Sequence, residues 1–139
     1  MSALIELEKA SFAYRLGRAA KSDIEPVAGI RDISLRIESG EYVAIIGANG
    51  SGKTTLARHL NALLVPNTGK VKVAGLDTRD PDNHREIRRT VGMVFQHPED
   101  QIVASIVEED VAFGLENLGT PAEVIRTRVR ETLEMMVLW

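Results

Sequence analysis

Residues 43–56 read Val43-Ala44-Ile45-Ile46-Gly47-Ala48-Asn49-Gly50-Ser51-Gly52-Lys53-Thr54-Thr55-Leu56, and the rest of the chain is best understood outward from them. The unbroken apolar run Val43–Ile46 suits a central strand covered on both faces. From Thr54 to Leu64 the spacing is helical, with Leu56, Leu60 and Leu63 or Leu64 on one side. The turn between them fits G-x-x-x-x-G-K-[ST] in full, a match that a chain of this length meets by accident at roughly the half-per-cent level. Gly47, Gly50 and Gly52 admit backbone conformations that a Cβ would block. Successive N–H groups can then form an anion-binding nest at the positive end of a helix dipole. Lys53 adds a mobile charge for β- and γ-phosphates, Thr54 a hydroxyl for Mg²⁺, and Thr55 a hydrogen bond to phosphate oxygen. The expected nucleotide-binding set is Gly47, Asn49, Gly50, Ser51, Gly52, Lys53, Thr54 and Thr55. A dinucleotide fingerprint is excluded by spacing, because the glycines form G-x-x-G-x-G. The implied ligand is a nucleoside triphosphate.

Before this loop, Ile5, Leu7, Phe12 and Tyr14 alternate with polar or small residues, as do Ile33, Leu35 and Ile37. Both patterns predict half-buried, antiparallel strands, the second ended by Ser39-Gly40. Arg15–Gly29 reads as a loop or hairpin connection. After the loop, Pro66-Asn67-Thr68-Gly69 stops the helix. A short strand (Lys70–Val73), a turn (Gly75-Leu76-Asp77), a helical turn (Asn83–Arg89) and an apolar strand (Val91–Phe95) follow. Ser105-Ile106-Val107-Glu108 and Thr120-Pro121-Ala122-Glu123 fit the capping box and predict two helices. Val129, Leu133 and Met136 form the apolar stripe of the second. The final residues to Trp139 stop in mid-pattern, so the ending looks cut.

The 139 residues suffice for about one domain. Seventeen basic and twenty acidic residues leave a net charge of -3, the wrong balance for a chain held to nucleic acid by phosphate contacts. The absence of cysteine rules out disulfides and thiolate chemistry and fits a reducing compartment. No apolar run approaches the roughly 20 residues that span a bilayer, and Met1–Glu8 does not look like a signal peptide, so a soluble intracellular chain is expected. His59, His84 and His97 have no metal-site spacing; solvated or packing roles are expected, with His59 on the helix surface. Met135-Met136 reads as core packing, Arg85, Arg88 and Arg89 as a solvated face, and Glu108-Glu109-Asp110 as helix-dipole stabilisation.

The phosphate loop, placed about forty residues into the chain behind two alternating strands, resembles that of ATP-binding-cassette ATPases. Tyr14 matches the aromatic position on which this family stacks adenine. Gln96 matches the Q-loop glutamine, which touches Mg²⁺ and the attacking water and faces the membrane partner. A narrower likeness, to the energy-coupling-factor subgroup related to cobalt importer ATPases, rests on Leu60-Asn61-Ala62-Leu63-Leu64, Val91-Gly92-Met93-Val94-Phe95-Gln96, Gln101–Ala104, Val107–Gly114 and Glu116–Gly119.

This resemblance implies an α/β fold: a P-loop core with a parallel sheet, an N-terminal antiparallel β subdomain and the start of a helical subdomain. The implied limits are 1–41 for the antiparallel region, 42–96 for the core and 97–139 for the helical start. Lys53 and Gln96 would serve catalysis, with Thr54 and Gln96 at the metal. ATP and Mg²⁺ are the implied cofactors. The implied partners are a second ATPase subunit, identical or paralogous, and a transmembrane coupling subunit contacting Gln96–Leu118, at the cytoplasmic face of the membrane. The Leu-Ser-Gly-Gly-Gln signature, the strand ending in Asp-Glu and the switch histidine do not occur in the sequence. The resemblance thus implies the N-terminal half of a domain, able to bind but not hydrolyse ATP alone. Rival readings are a non-catalytic nucleotide-sensing module and a soluble cassette ATPase outside transport.

Overall fold

The computed structural model describes residues 3–14 and 27–137, in two compact units, Met1–Gly92 and Met93–Trp139. Sequence alternation builds the first. In β1 (Ile5–Tyr14), Ile5, Leu7 and Ala10 are buried. β2 (Val27–Ile37) runs antiparallel beside it, with Ile37 opposite Ile5 and Leu35 opposite Leu7. On the other edge of β1 lies β3 (Thr68–Val73), with Val73 opposite Ile5 and Val71 opposite Leu7. Ala74 (φ 48) and Gly75 (φ 81) then turn the chain into the short β4 (Leu76–Asp77), giving the order β2-β1-β3-β4. Positive φ at both turn positions is what a tight hairpin requires. Between the apolar positions, Glu6 stands opposite Arg36 on one side and Lys72 on the other, and Glu8 opposite Lys70. One face is therefore dry and the other carries cross-strand charge pairs, which explains the alternation.

The ladder between β1 and β2 is irregular beyond Leu7, where Lys9 (φ 47) and Asp32 (φ 49) adopt left-handed conformations. Gly69 (φ 78) presses on this bulge, and a Cβ there would strike the Lys9 carbonyl. Helix α1 (Lys53–Leu60) lays Leu56 and Leu60 on the cluster of Ile5, Leu7, Ala10, Ile30 and Val71. Helix α2 (His84–Thr90) places the fully buried Ile87 against Ala62 and Val73. In the second unit, α3 (Val107–Asn117) and α4 (Ala122–Met135) bury Ala112, Val129 and Leu133 between them. No helix among the described residues is long and apolar enough to cross a membrane.

Several expectations need correction. Val43–Ile46 and Val91–Phe95 are not strands; among the described residues neither pairs with a neighbour, and Ile46 is 93% and Val94 85% exposed. A buried parallel strand needs ladders on its edges and cover on its faces, and apolarity supplies neither. Val27–Gly29 belongs to β2, not to the connection; Arg15–Pro26 and Trp139 lie outside the described residues. Helix α1 ends at Leu60, ahead of the proline. There the chain turns through Ala62 (φ 55), and the Leu63 and Leu64 N–H groups both donate to the Arg58 carbonyl at 3.0 Å. The turn expected at 75–77 lies at Ala74-Gly75.

Neither capping box forms. Ile106 and Pro121 occupy the N-cap positions, without a side-chain cap, so Ser105 and Thr120 fall one residue too early. Met135 and Met136 are exposed, because two helices enclose only a narrow seam. His59, expected on the surface, is fully buried. Its Nδ1 lies 2.7 Å from the Thr55 carbonyl, which can only accept, so Nδ1 carries the proton. Burial outweighs that hydrogen bond and lowers the His59 pKa. His84 does pack, with Nε2 2.8 Å from the Thr78 carbonyl.

Two outcomes follow from this packing. Ile87→Ala is expected to lower the unfolding free energy by about 2–5 kcal/mol, as read from urea denaturation; a loss below about 1 kcal/mol would displace Ile87 from the centre of its cluster. Because the folded state lowers the His59 pKa, the unfolded chain binds the proton more readily. Stability should be full above the ordinary imidazole value of 6.5 and decline as pH falls below it. Denaturation midpoints at pH 7.5 and 5.5 should show this decline in the wild type and a smaller one in His59→Phe.

Candidate functional site

The site grows from the junction of the glycine-rich turn with α1. Gly52 is the N-cap of α1, with φ 93 and no side-chain cap. A Cβ at this position would collide with the carbonyl oxygen of Gly29 in β2. Glycine is thus required twice, for the left-handed backbone and for close approach to a neighbouring strand. Behind it, the Ser51 N–H bonds the Ala48 carbonyl at 3.2 Å and Gly50 takes φ 79, so the backbone curls between Gly47 and α1. Gly47, Asn49, Gly50 and Ser51 are exposed, as a loop that receives a ligand must be.

Lys53 opens α1 and folds back over the turn. Its ammonium donates to the carbonyls of Gly47 and Ala48, both at 2.8 Å. These bonds tether a full positive charge above the loop, where an anion would meet the helix N-terminus and the ammonium together. Thr54, beside it, is exposed; Thr55, one residue further, is buried.

Tyr14 is brought to the same helix by the sheet. It ends β1, and its hydroxyl lies 3.1 Å from the Thr55 hydroxyl. Its ring meets Phe12 edge to face at 4.9 Å, and Phe12 meets the His59 ring in the same manner at 5.1 Å. Gly29 makes room for this assembly: a Cβ there would stand 2.8 Å from the Thr55 methyl and 3.1 Å from the Tyr14 ring. The connection assigned to residues 15–29 hid Gly29 from sequence reading. The signal was available, since an isolated glycine in a strand marks close backbone approach.

Gln96 lies in the second unit, exposed, directly after 91–95. The Gln101 side chain spans this bend, accepting from the Phe95 N–H at 3.3 Å and donating to the carbonyls of Phe95 and His97 at 3.3 and 3.4 Å. Asp110, in the first turn of α3, accepts the N–H groups of Val103 and Ala104 at 2.7 and 3.1 Å. It therefore anchors the preceding loop as well as facing the helix dipole. Composition gave no signal for either tie, because each depends on a loop conformation.

Among the described residues no cluster of three or more His, Asp or Glu could hold a metal ion by itself. The donors fit Mg²⁺ in another way. The ion commonly keeps one or two protein ligands and completes its shell from phosphates and water, and the Thr54 hydroxyl stands exposed beside the loop.

Comparison with known proteins identifies the family. The sequence matches the ABC transporter family over residues 30–138. It is 50% identical over 139 residues to the energy-coupling factor transporter ATP-binding protein EcfA1 of Caldanaerobacter subterraneus subsp. tengcongensis, covering 100% of this chain and 48% of that protein. Identity is 56% over 131 residues to EcfA1 of Symbiobacterium thermophilum, covering 94% and 45%. The cobalt import ATP-binding protein CbiO of Syntrophus aciditrophicus is 50% identical over 135 residues, covering 97% and 45%. The chain thus spans about half the length of the curated relatives it matches. Among solved structures, cbiO1 from Clostridium perfringens, part of the ABC transporter complex cbiONQ, superposes with a TM-score of 0.74 at 30% identity, covering 96% of this chain and 50% of that one. The dimeric ATP-binding cassette MJ0796 bound to ADP and Pi superposes with a TM-score of 0.75 at 28% identity, covering 94% and 56%. The α/β class is that of these cassettes, and the chain belongs to the ABC transporter family, aligned with the N-terminal portion of its energy-coupling factor ATP-binding proteins.

Proposed function

We propose that the protein is the ATP-binding subunit of an energy-coupling-factor importer, binding ATP on Gly47–Thr55 to power uptake of a vitamin or transition-metal ion. One observation carries the reading: the Lys53 ammonium is held over a glycine loop that opens a helix, in a chain matched from end to end by energy-coupling factor ATP-binding proteins. A polyphosphate would take the place of the Gly47 and Ala48 carbonyls as partner of the ammonium. Asn49, Gly50, Ser51 and Gly52 would line its path with backbone N–H groups. Thr54 would offer its hydroxyl to Mg²⁺, whose charge neutralises the phosphate oxygens when bound. Thr55 would reach phosphate by releasing Tyr14, and Tyr14 would present a flat ring to the adenine.

Gln96 would align the attacking water and approach the metal, while 97–118 meets a transmembrane coupling subunit. We assign 1–41 to the antiparallel region, which β3 and β4 join from within the next segment, 42–96 to the phosphate-loop core and 97–139 to the start of the helical subdomain. The exposure of Val43, Ile45 and Ile46, and of Val94 and Phe95, supports an incomplete parallel sheet, whose remaining strands would belong to the part of the domain present in the longer relatives. A second ATPase subunit would complete each site across a dimer, as the dimeric cassette among the structural neighbours suggests. The assembly would sit on the cytoplasmic face of the membrane.

Lys53→Ala should weaken MgATP binding about ten- to a hundredfold, the worth of a charge-assisted hydrogen bond to phosphate. Isothermal titration of the intact protein measures it, and an unchanged affinity would place the nucleotide elsewhere. Purified residues 1–139 should release no phosphate from ATP, since the chain carries no catalytic Asp-Glu pair after an apolar strand. Turnover by this segment that disappears in Lys53→Ala would refute its incompleteness.

A further inference from the structure

Thr55 begins and ends a closed circuit of contacts. Its carbonyl accepts from His59 Nδ1 at 2.7 Å. The His59 ring meets Phe12 edge to face at 5.1 Å, and Phe12 meets Tyr14 in the same way at 4.9 Å. The Tyr14 hydroxyl then returns to the Thr55 hydroxyl at 3.1 Å. The circuit ties the phosphate-loop helix to the end of β1 through both ends of one tyrosine.

His59 occupies its place at a cost. It is fully buried, and its Nε2 has no hydrogen-bond partner among the described residues. Leaving a buried acceptor bare is unfavourable, so a leucine or phenylalanine would pack here with less loss. What those residues lack is the combination of a donor for the Thr55 carbonyl and a planar ring for Phe12. The ring is the part that meets Phe12, and the donor adds a tie from that ring to the α1 backbone.

We infer that His59 is a positioning residue for the nucleobase, which braces Phe12 and thereby sets the plane that Tyr14 offers to the adenine. The inference rests on the ATP reading above and deepens it by assigning base recognition to a residue that never touches the base. An aromatic contact of this kind is worth about 0.5–1.5 kcal/mol, or about two- to tenfold in affinity.

The test separates base from phosphate by titrating the intact protein with MgATP and with magnesium tripolyphosphate, which has no base. His59→Asn keeps a donor near the Nδ1 position and removes the ring; it should weaken ATP about two- to tenfold and leave tripolyphosphate unchanged. His59→Phe keeps the ring and should hold the wild-type ratio of the two affinities. Should His59→Asn fail to fold, Phe12→Leu removes the next ring in the circuit and should give the same selective loss. An unchanged ratio in His59→Asn or Phe12→Leu, or an equal loss in His59→Phe and His59→Asn, would overturn the brace. Lys53→Ala serves as the control and should lose both ligands. If it retains both, the phosphate site falls and the brace with it; if it loses both while the ratio stays fixed, the brace alone falls.

Discussion

The backbone of Gly52 passes against the carbonyl of Gly29 with no room for a side chain between them, and the rest of the first unit depends on that approach. It fixes where α1 begins relative to β2, and hence where the curl of residues 47–52 faces. Leu56 and Leu60, four residues apart, then fall on the apolar face of the sheet. The loop that would hold phosphate is therefore not a free segment. It is the end of an element that Leu56 and Leu60 fasten to the four-stranded sheet.

Polar interactions are placed where this fastening needs direction. Ser11, Ser34 and Asn67 bridge the irregular ladder, their side-chain oxygens accepting from the N–H groups of Asp32, Lys9 and Ala13 respectively. Each satisfies a backbone group that the bulge removes from ordinary pairing. Arg88 similarly reaches the Ala62 carbonyl at 3.3 Å, closing the turn after α1. In the second unit, Gln101 and Asp110 do the same for the segment around Gln96 and the approach to α3. Both units thus stabilise loops through side chains that bond main-chain groups.

The charged face of the sheet has a different character. Arg36 contacts Glu38 at 2.6 Å and Glu6 at 3.7 Å, and Arg79 holds Asp77 at 3.1 Å, where it keeps that carboxyl below its ordinary pKa. These pairs are open to water, and such pairs are worth little individually. They set which face is wet, and so the register of β1 against its neighbours, because a slip by one residue would place glutamates and lysines under α1.

Local signals carried much of this in the sequence. Alternation at Ile5 and Leu7 and at Ile33–Ile37 located two strands and their dry side, because period-two patterning is a property of each strand alone. The phosphate-loop motif located the turn, the start of α1 and the lysine, because the conformation it demands is written in its glycines. Tertiary structure decided the rest. Val43–Ile46 and Val91–Phe95 have strand composition but form no ladder, since a strand exists only through hydrogen bonds to a partner. His59 looked like a surface residue on its helix, yet the sheet rises over that side and buries it. Gly29 acquired its purpose only when α1 settled on β2, for close approach is a relation between distant residues and leaves no periodic trace in either.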